Sequence, residues 1–267
     1  MKNPEVGAIR DRGPGARREQ VRAQVLAQGS ARLDELAARF DVSLMTMHRD
    51  VDALEAEGWL IKTRGAATAN PSALAEAGVR DRMSAMSAEK AAITAEASRL
   101  ITRGQTVFLD DSTTALGLVP SLVSHPPMTI ATNFLPVIAE IGEVPGVQIQ
   151  LLGGEYHARQ EACFGRQAIE AIALLSADVF FMSTTAVRDG KCLHRSEATV
   201  MVRQAFMAHA SRRVLLVDHA KFGRRAAHVL CDVSEFDIVV TDDGIDAETL
   251  ADLRASCADV RVASVGD

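Results

Sequence analysis

The sequence lacks the cysteine and histidine spacings that mark disulfide-stapled or zinc-bound domains. No two of its four cysteines form a C-x-x-C pair, and its seven histidines form no H-x-x-x-H pair. A disulfide framework or a structural zinc site normally shows such close spacing. The sequence therefore predicts no metal and no cofactor. It predicts four buried, reduced thiols: Cys163, Cys192, Cys231 and Cys257.

Long apolar runs are also missing. No stretch approaches the ~18 consecutive apolar residues that a membrane span requires, and residues 1–18 lack the apolar run of a signal peptide. We interpret those residues as a polar leader, and we expect a cytoplasmic protein without a membrane partner. The chain also lacks an internal repeat of solenoid length and any low-complexity tract.

The composition is that of a globular protein whose charge is unevenly divided. The chain has 267 residues, of which 48% are hydrophobic and 24% charged, and this length corresponds to one large domain or two ordinary ones. The net charge is −6, but residues 1–70 carry 11 Lys and Arg against 10 Asp and Glu, whereas the remainder carries 18 against 25. A near-neutral head on an acidic body is compatible with DNA binding through one face of the head.

The first 60 residues contain three helical patterns. The first helix is predicted over residues 17–28, and the second carries an apolar stripe from Leu33 to Phe40 with i, i+3, i+4, i+7 spacing. Ser43 is a suitable N-cap for the third helix, because its hydroxyl can accept from an otherwise unpaired amide. That helix ends at Gly58. Its apolar stripe consists of Leu44, Met47, Val51 and Leu54.

A strand predicted at residues 59–61 and a basic turn at residues 62–65 with a returning strand form a wing beside these helices. Packing the second helix on the third leaves a polar outer face, from which Arg49 can donate two bonds to a phosphate or a guanine. The alternative is a three-helix interaction module with a solvated, charged face. The order of turn, cap, arginine and basic hairpin favours DNA binding. The candidate DNA-binding residues are Ser43, Met45, Thr46, His48, Arg49, Lys62 and Arg64.

Three motifs follow one another in this region: L-D-E-L-A-A-R-F-D-V-S at residues 33–43, T-M-H-R-D-V at 46–51 and L-E-A-E-G at 54–58. They resemble the DeoR/GlpR family of bacterial sugar-metabolism regulators, whose pattern is V-S-x-x-T-I-R-R-D-L, then L-x-x-x-G and a wing with H-G-G-A. His48 stands where the family usually has arginine, and the wing reads R-G-A-A from Arg64. These departures imply a weaker phosphate contact or an altered operator sequence.

From residue 106 the pattern changes to short apolar strands that alternate with helices. Strands are predicted at residues 106–110, 128–132, 147–152, 179–182, 214–217 and 238–241. Helices are predicted between most of them, at residues 115–123, 134–141, 165–175 and 198–210. Nearly continuous apolar strands separated by helices indicate a parallel sheet that is covered on both faces.

The sequence thus predicts two domains and a linker. An all-α winged helix-turn-helix DNA-binding domain is placed over residues 12–68, and an α/β effector-sensing domain over residues 88–250. Residues 69–87 are assigned to the linker, because they are rich in alanine, contain Pro71 and Gly78 as breaks and show no clear apolar period. A further helix is predicted over residues 87–101.

Polar residues follow three of the predicted strands. D-D-S-T-T occupies residues 110–114, Thr-Asn residues 132–133 and Gly-Gly residues 153–154. In open α/β sheets ligands bind outside the carboxyl ends of the strands, and hydroxyls and amides at a helix N-terminus suit an anion such as phosphate. A simple helix cap is the alternative interpretation of the first motif. Three polar strand ends on one edge favour a ligand site.

These strand ends also resemble the C-terminal domain of the same family. The matching motifs are F-L-D-D-S-T-T at residues 108–114, A-T-N at 131–133, L-G-G-E at 152–155 and V-D-H-A-K-F-G-R at 217–224. The resemblance implies the fold of ribose-5-phosphate isomerase and CoA transferases, and an effector that is a phosphorylated sugar, a sugar alcohol or a related intermediate. M-S-T-T-A-V at residues 182–187 replaces a glycine-rich stretch of the family, which implies a different ligand.

The resemblance assigns roles to these residues. The hydroxyls of the D-D-S-T-T segment would hold the phosphate, and its two aspartates would bind sugar hydroxyls or orient the loop. Asn133 would donate and accept at the ligand, and Lys221 would supply a compensating charge. Glu197 is a further candidate, although a stabilising acid in a first helical turn explains it equally well. The candidate effector-binding residues are Asp110, Asp111, Ser112, Thr113, Thr114, Thr132, Asn133, Gly153, Gly154, Glu197 and Lys221.

The function predicted from these features is that of a ligand-controlled repressor of a carbohydrate-metabolism operon. Its partners would be double-stranded operator DNA, a small phosphorylated metabolite and further copies of the chain, in a dimer or tetramer, because a two-fold protein matches two half-sites. The alternative is a sugar-phosphate isomerase-like enzyme with an appended helix-turn-helix. It would need Asp110, Asp111 or Glu197 beside the substrate carbon, and no feature of the sequence shows that geometry. We therefore expect no enzymatic activity.

Overall fold

The computed structural model describes residues 14–70 and 78–266. Contacts within the chain separate two compact units, Met1–Glu76 and Ala77–Asp267, each with a hydrophobic core of its own. Among the described residues, no helix has the length and apolar character that a membrane span requires.

The first unit contains three helices and a small antiparallel sheet. The helices are α1 (Pro14–Gln28), α2 (Leu33–Arg39) and α3 (Leu44–Ala56). The strands are β1 (Ser30–Arg32), β2 (Leu60–Thr63) and β3 (Ala66–Ala69), and their order in the sheet is β1-β3-β2. Strand β1 was not predicted, because a strand of three residues with a single buried side chain leaves no period in the sequence.

Apolar side chains from all three helices form the core of this unit, as their spacing predicted. Met47, Val51 and Leu54 of α3 are buried. Leu44 was predicted with them, but 48% of its surface is exposed. It is the first residue of α3, and Asp50 occupies the buried face instead, where its carboxylate accepts from Arg17 Nε at 2.6 Å.

The second unit is built on a seven-stranded sheet in the order β15-β14-β12-β9-β4-β5-β6. All six pairings between neighbouring strands are parallel. The strands are β4 (Thr106–Leu109), β5 (Met128–Thr132), β6 (Val147–Leu151), β9 (Val179–Met182), β12 (Arg213–Leu216), β14 (Ile238–Asp242) and β15 (Val260–Ala263). The parallel sheet confirms the predicted fold class, and the six predicted strands all lie in it.

Short strands outside the main sheet complete this unit. The antiparallel sheet β10-β11-β13 comprises β10 (Ala186–Arg188), β11 (Lys191–His194) and β13 (His228–Asp232), and a hairpin pairs β7 (Glu155–His157) with β8 (Ala162–Phe164). Cys192 and Cys231 are buried and lie directly opposite each other across β11 and β13. All four cysteines are free and buried, as the sequence predicted.

The second unit contains eight described α-helices, of which all but α4 and α11 lie at or near predicted positions. They are α4 (Val79–Ser84), α5 (Ser87–Ser98), α6 (Thr113–Leu116), α7 (Val119–Val123), α8 (Leu135–Ile141), α9 (Arg166–Ala173), α10 (Glu197–Ala208) and α11 (Ala247–Ser256). The single helix predicted over residues 115–123 is divided into α6 and α7. Pro120, at the start of α7, has no amide to continue the helical bonds of α6.

The predicted boundaries of the sensing domain differ from those of this unit. Residues 69–87 were assigned to a linker, but α4 lies within them, and Val79 is buried in the core of the second unit. The predicted end at residue 250 also excludes β15, which pairs with β14 at the edge of the sheet. Arg261 interrupts the apolar run of β15, so this strand gave no signal of a buried strand.

An aromatic cluster fixes α10 on the main sheet. The ring of Phe206 lies 5.0 Å from that of Phe108 on β4 and 5.1 Å from that of Phe180 on β9. Residues three apart share a helix face, so Arg203 points in the same direction as Phe206. The packing of α10 therefore directs one guanidinium group towards β4 and β9.

Candidate DNA-binding surface and candidate ligand site

The turn between α2 and α3 has the local structure that the sequence predicted. Ser43 Oγ accepts from Thr46 N at 3.1 Å, and the two hydroxyl oxygens lie 2.8 Å apart. Ser43 is thus the N-cap of α3. The two hydroxyls stabilise the helix start, and both belong to the predicted DNA-binding set.

The outer face of α3 carries side chains that the fold does not use. Met45 is 66% exposed, and Arg49 is exposed and forms no hydrogen bond or ion pair with the described residues. His48 is half-buried. An exposed arginine on a helix that protrudes after a tight turn is the arrangement that reads base edges or phosphates.

The wing is the β2–β3 hairpin, and its two basic residues differ in their surroundings. The Lys62 ammonium group pairs with Asp52 on α3, and Lys62 N donates to Glu55 Oε1 at 2.7 Å. Arg64 is exposed in the turn, next to Gly65, whose φ is +79°. Lys62 therefore attaches the wing to α3, while Arg64 stays available to a partner.

In the second unit, two buried aspartates at the end of β4 bind one arginine. Arg203 Nη2 lies 3.1 Å from Asp110 Oδ2 and 2.9 Å from Asp111 Oδ1, and Arg203 Nη1 donates to the Ser183 carbonyl at 2.6 Å. Asp110 also accepts from the amides of Ser112 and Ser183. Of the two roles predicted for these aspartates, the contacts correspond to orienting the loop.

Asp110, Asp111 and Arg203 form a buried triad in which neighbouring charges shift the pKa values of all three groups. Burial and the neighbouring Asp111 raise the pKa of Asp110. Burial opposes the charge of Asp111, but Arg203 and Arg82 outweigh it and hold the pKa of Asp111 below its usual range. The two carboxylates likewise outweigh the burial of Arg203 and raise its pKa. The raised pKa of Asp110 reduces the excess negative charge that two carboxylates would leave beside one guanidinium group.

The hydroxyl-bearing segment after the aspartates begins α6. Ser112 Oγ accepts from Ala115 N at 3.1 Å, which makes Ser112 the N-cap, and Thr114 is buried. Thr113 Oγ1 donates to the Arg82 carbonyl at 3.2 Å and lies 3.2 Å from Lys90 Nζ. The segment is therefore both a helix cap and part of a polar cluster.

Basic side chains surround this segment from three elements. Lys221 Nζ donates to Ser183 Oγ at 2.8 Å and lies 3.3 Å from Asp218 Oδ2. Lys90 on α5 contacts the Arg82 carbonyl and Thr113 Oγ1, and both of these partners are neutral. Burial and then the nearby Lys221 lower the pKa of Lys90 to about 7. We call Arg82, Lys90, Thr113 and Lys221 the basic cluster.

Two further groups next to the basic cluster have perturbed pKa values. Burial opposes the charge of Asp218, but Lys221 and Lys90 outweigh it and lower the pKa of Asp218. Burial and then the nearby Arg203 lower the pKa of His194 to about 3. His194 is therefore neutral near pH 7, and its Nδ1 accepts from Ser196 N at 3.1 Å.

The other predicted effector residues have different positions. Thr132 Oγ1 accepts from Phe134 N at 3.1 Å, and Asn133 Nδ2 donates to the Cys163 carbonyl at 2.8 Å, while Asn133 Oδ1 is buried without a partner among the described residues. A Cβ on Gly154 would lie 2.4 Å from the Phe164 carbonyl oxygen, so this glycine is required by packing. Gly153 is exposed.

Glu197 is not held by the cluster. It is the first residue of α10, it is exposed, and it forms no hydrogen bond or ion pair with the described residues. This position fits the alternative interpretation of a favourable acid in a first helical turn.

Several residues of the site were not predicted from the sequence. Arg82 lies in α4, within the predicted linker, and Lys90 lies in the helix predicted over residues 87–101, to which no site residue was assigned. Arg203 lies in the middle of a helix, far from any motif. Only Asp218 stood within a recognised motif, V-D-H-A-K-F-G-R, and could have been chosen with Lys221.

A histidine–aspartate pair lies at the ends of β12 and β14. His219 Nδ1 is 2.5 Å from Asp242 Oδ2, and Asp242 Oδ1 accepts from His219 N at 2.7 Å. Asp242 Oδ2 also accepts from Gly244 N at 3.0 Å. A Cβ on Gly244 would lie 2.4 Å from His219 Nδ1, so glycine is needed for the pair to form.

A groove elsewhere in the second unit has a volume of about 420 Å³. The turn between β10 and β11, the loop at Phe222 and Gly223, and helix α11 line it. None of the predicted effector residues or of the basic cluster lines this groove, so its size alone does not identify it as the effector site.

Comparison with known proteins gives two matches that together span most of the chain. The model of the DeoR-like helix-turn-helix domain matches residues 17–73, and that of the DeoR C terminal sensor domain matches residues 85–243. The chain is 30% identical over 230 residues to the lactose phosphotransferase system repressor of Staphylococcus epidermidis, covering 85% of this chain and 91% of the relative. It is 29% identical over 219 residues to the glycerol-3-phosphate regulon repressor of Escherichia coli K12, covering 82% and 86%.

Solved structures resemble parts of the chain more distantly. Ribose 5-phosphate isomerase from Plasmodium falciparum aligns with 51% of this chain and 52% of its own, with 10% identity and a TM-score of 0.37. The translation initiation factor eIF-2B of Pyrococcus horikoshii aligns with 78% of this chain and 69% of its own, with 12% identity and a TM-score of 0.40.

Proposed function

Because this chain belongs to the DeoR family of transcriptional regulators, we propose that it represses a carbohydrate-metabolism operon and that a small phosphorylated sugar or related metabolite controls its binding to DNA. The relatives named above are repressors of a lactose phosphotransferase system and of a glycerol-3-phosphate regulon. The family assigns DNA binding to the first unit and sensing to the second.

The basic cluster is the observation that carries the effector proposal. Arg203 pairs with Asp110 and Asp111, and Lys221 pairs with Asp218, whereas Lys90 donates only to two neutral oxygens. Burial lowers the pKa of Lys90 to about 7. A phosphate monoester would supply up to two negative charges and three acceptor oxygens, and so would favour the ammonium form. The Thr113 hydroxyl beside Lys90 suits the same group.

The first unit supports recognition of operator DNA. Arg49 and Met45 project from the outer face of α3, and Arg64 projects from the wing. In this arrangement α3 enters the major groove and the wing lies against the adjacent backbone. A single unit of this size reaches few base pairs, so we propose a homo-oligomer, dimer or tetramer, acting in the cytoplasm.

The contacts favour a regulator over an isomerase-like enzyme. A general base must reach the substrate carbon with a free carboxylate. Arg203 binds both Asp110 and Asp111, and Glu197 is exposed at a helix start. We therefore propose that the ligand is an effector and that the protein does not turn it over.

A titration of the purified protein on the DNA upstream of its own gene tests the proposal. Binding would be measured at one stated salt concentration, with and without a panel of triose, pentose and hexose phosphates, and the matching unphosphorylated sugars would be the controls. We expect specific binding that one phosphorylated compound weakens. Turnover of any compound, or a response to the unphosphorylated sugar alone, would contradict the proposal.

A further inference from the structure

Helix α4 is the first described element after the DNA-binding unit, and the basic cluster holds it. The first unit ends at Glu76 and α4 begins at Val79. The carbonyl of Arg82 accepts from Lys90 Nζ and from Thr113 Oγ1, while Arg82 Nη1 donates to the Asp111 carbonyl at 3.4 Å. Side chains proposed to bind the effector thus also hold the backbone of α4.

The Arg82 side chain has an unused donor at the same place. Its Nη2 is buried and has no hydrogen-bond partner among the described residues. A buried guanidinium donor without a partner is unfavourable, and guanidinium groups bind phosphate through two parallel N–H bonds. Burial lowers the pKa of Arg82, and the nearby Arg203 adds to this effect, while the two aspartates oppose it.

We propose that Arg82 binds the anionic group of the effector directly, so that α4 is the element through which occupancy of the site reaches the DNA-binding unit. This inference rests on the proposed function, because it assumes that a phosphorylated compound occupies the basic cluster. It adds a ligand residue that belongs to no motif of the sequence, and a route for the regulation of that site.

The hydrogen bonds of the basic cluster indicate how phosphate binding would move α4. A bound phosphate competes with the Arg82 carbonyl for the single hydroxyl proton of Thr113, while the Lys90 ammonium group has a third N–H to donate to it. At the same time it offers acceptors to Arg82 Nη2. Binding therefore replaces an anchor on the α4 backbone by an anchor on the Arg82 side chain, and α4 shifts.

The shift is coupled to DNA binding through the chain itself. Helix α4 follows the first unit directly in the chain, so the position of α4 sets the point at which the chain enters the second unit. For the effector to change operator affinity, it must bind the two positions of α4 with different affinities. Arg82 supplies such a difference, since its Nη2 is satisfied only when the phosphate is present.

The test compares Arg82→Ala, Arg82→Lys and the control Arg80→Ala in the full-length protein. Arg80 lies on the same helix and is exposed, so its replacement removes an equal charge from α4 outside the cluster. Affinities for inorganic phosphate and for the phosphorylated sugar panel are measured by calorimetry. Hydrogen exchange over residues 78–86 is measured with and without each compound, and thermal unfolding shows whether each variant is folded.

We expect phosphate to change the rate of amide hydrogen exchange across α4 in the wild type and in Arg80→Ala. Arg82→Ala should lose about tenfold or more in affinity, the loss of one charge-assisted bond, and should lose the change in exchange. Arg82→Lys should also lose the exchange change, since lysine lacks the paired donors. If the wild type binds no phosphorylated compound, the proposed function fails. If the wild type binds but Arg82→Ala matches Arg80→Ala, only the role of Arg82 and α4 is wrong.

Discussion

Lys90 is a buried lysine whose pKa lies far below its ordinary value. Its pKa lies at about 7 instead of 10.5, because of burial and the nearby Lys221. Between those two pH values the folded protein binds fewer protons at Lys90 than the unfolded chain does. Lys90 therefore makes the free energy of unfolding rise with pH across this window.

A phosphate dianion beside Lys90 would restore the charge of the ammonium group. We expect binding at about pH 8 to take up as much as one proton, because a phosphate ester with a second pKa of ~6 is already a dianion there. Calorimetry in two buffers of different ionisation enthalpy measures this uptake. Lys90→Met should abolish it, and a wild-type protein that binds without uptake would place the phosphate away from Lys90.

Gly244 is the residue that gives His219 and Asp242 room to pair. We expect Gly244→Ala to lower the free energy of unfolding by about 1–3 kcal/mol, the usual cost of overpacking, because its Cβ would lie 2.4 Å from His219 Nδ1. Urea unfolding measures the change. Gly153→Ala is the matched control at another strand end, since a Cβ there meets nothing within 4 Å. Equal stabilities of the two variants would show that the pair moves without cost.

At the scale of elements, α3 carries the prediction about DNA. Arg49→Ala should weaken operator binding by about 1–3 kcal/mol, the value for an arginine that contacts a base edge. The control is Arg254→Ala, which removes another exposed arginine, on α11. Gel-shift titration at two salt concentrations distinguishes a contact to a base edge from a contact to a phosphate. A loss that is uniform across mutated operators would assign Arg49 to a phosphate.

The elements that the sequence predicted well are those with a clear apolar pattern. Helices α2 and α3 bury an apolar stripe whose period is visible in the sequence, and the six predicted strands are short apolar runs in the sequence. Strands β7, β8 and β10 have three residues each, which is too short to show a pattern in the sequence. Helix α4 lies in the predicted linker because the segment is rich in alanine and shows no clear apolar period, and only Val79 of its six residues is buried.

The candidate ligand site was predicted only in part, for a related reason. Motifs at strand ends indicated the hydroxyl-bearing segment and Lys221, because the carboxyl ends of parallel strands meet at one edge. Arg203 and Arg82 reach that edge from helices, and the position of a side chain on a helix depends on how the helix packs. For Arg203 this depends on the contacts of Phe206 with Phe108 and Phe180.

At the scale of the whole molecule, two units with separate cores should respond to different ligands. We expect operator DNA to raise the unfolding temperature of the first unit, and a phosphorylated effector to raise that of the second. At a hundred times the dissociation constant, binding adds about 2.7 kcal/mol to the stability of the unit that binds. Scanning calorimetry with each ligand alone measures both transitions. An effector that stabilised only the first unit would contradict the assignment of sensing to the second.

The facing thiols of Cys192 and Cys231 make local opening of the second unit measurable, through the rate at which they are alkylated. Both are buried, and the neighbouring Cys192 thiol together with burial raises the pKa of Cys231, so an alkylating reagent reacts only when β13 separates from β11. Gln204 Nε2 on α10 donates to the Leu230 carbonyl on β13 at 2.7 Å. Helix α10 also carries Arg203, so the labelling rate of these thiols reports how firmly the arginine of the ligand site is held.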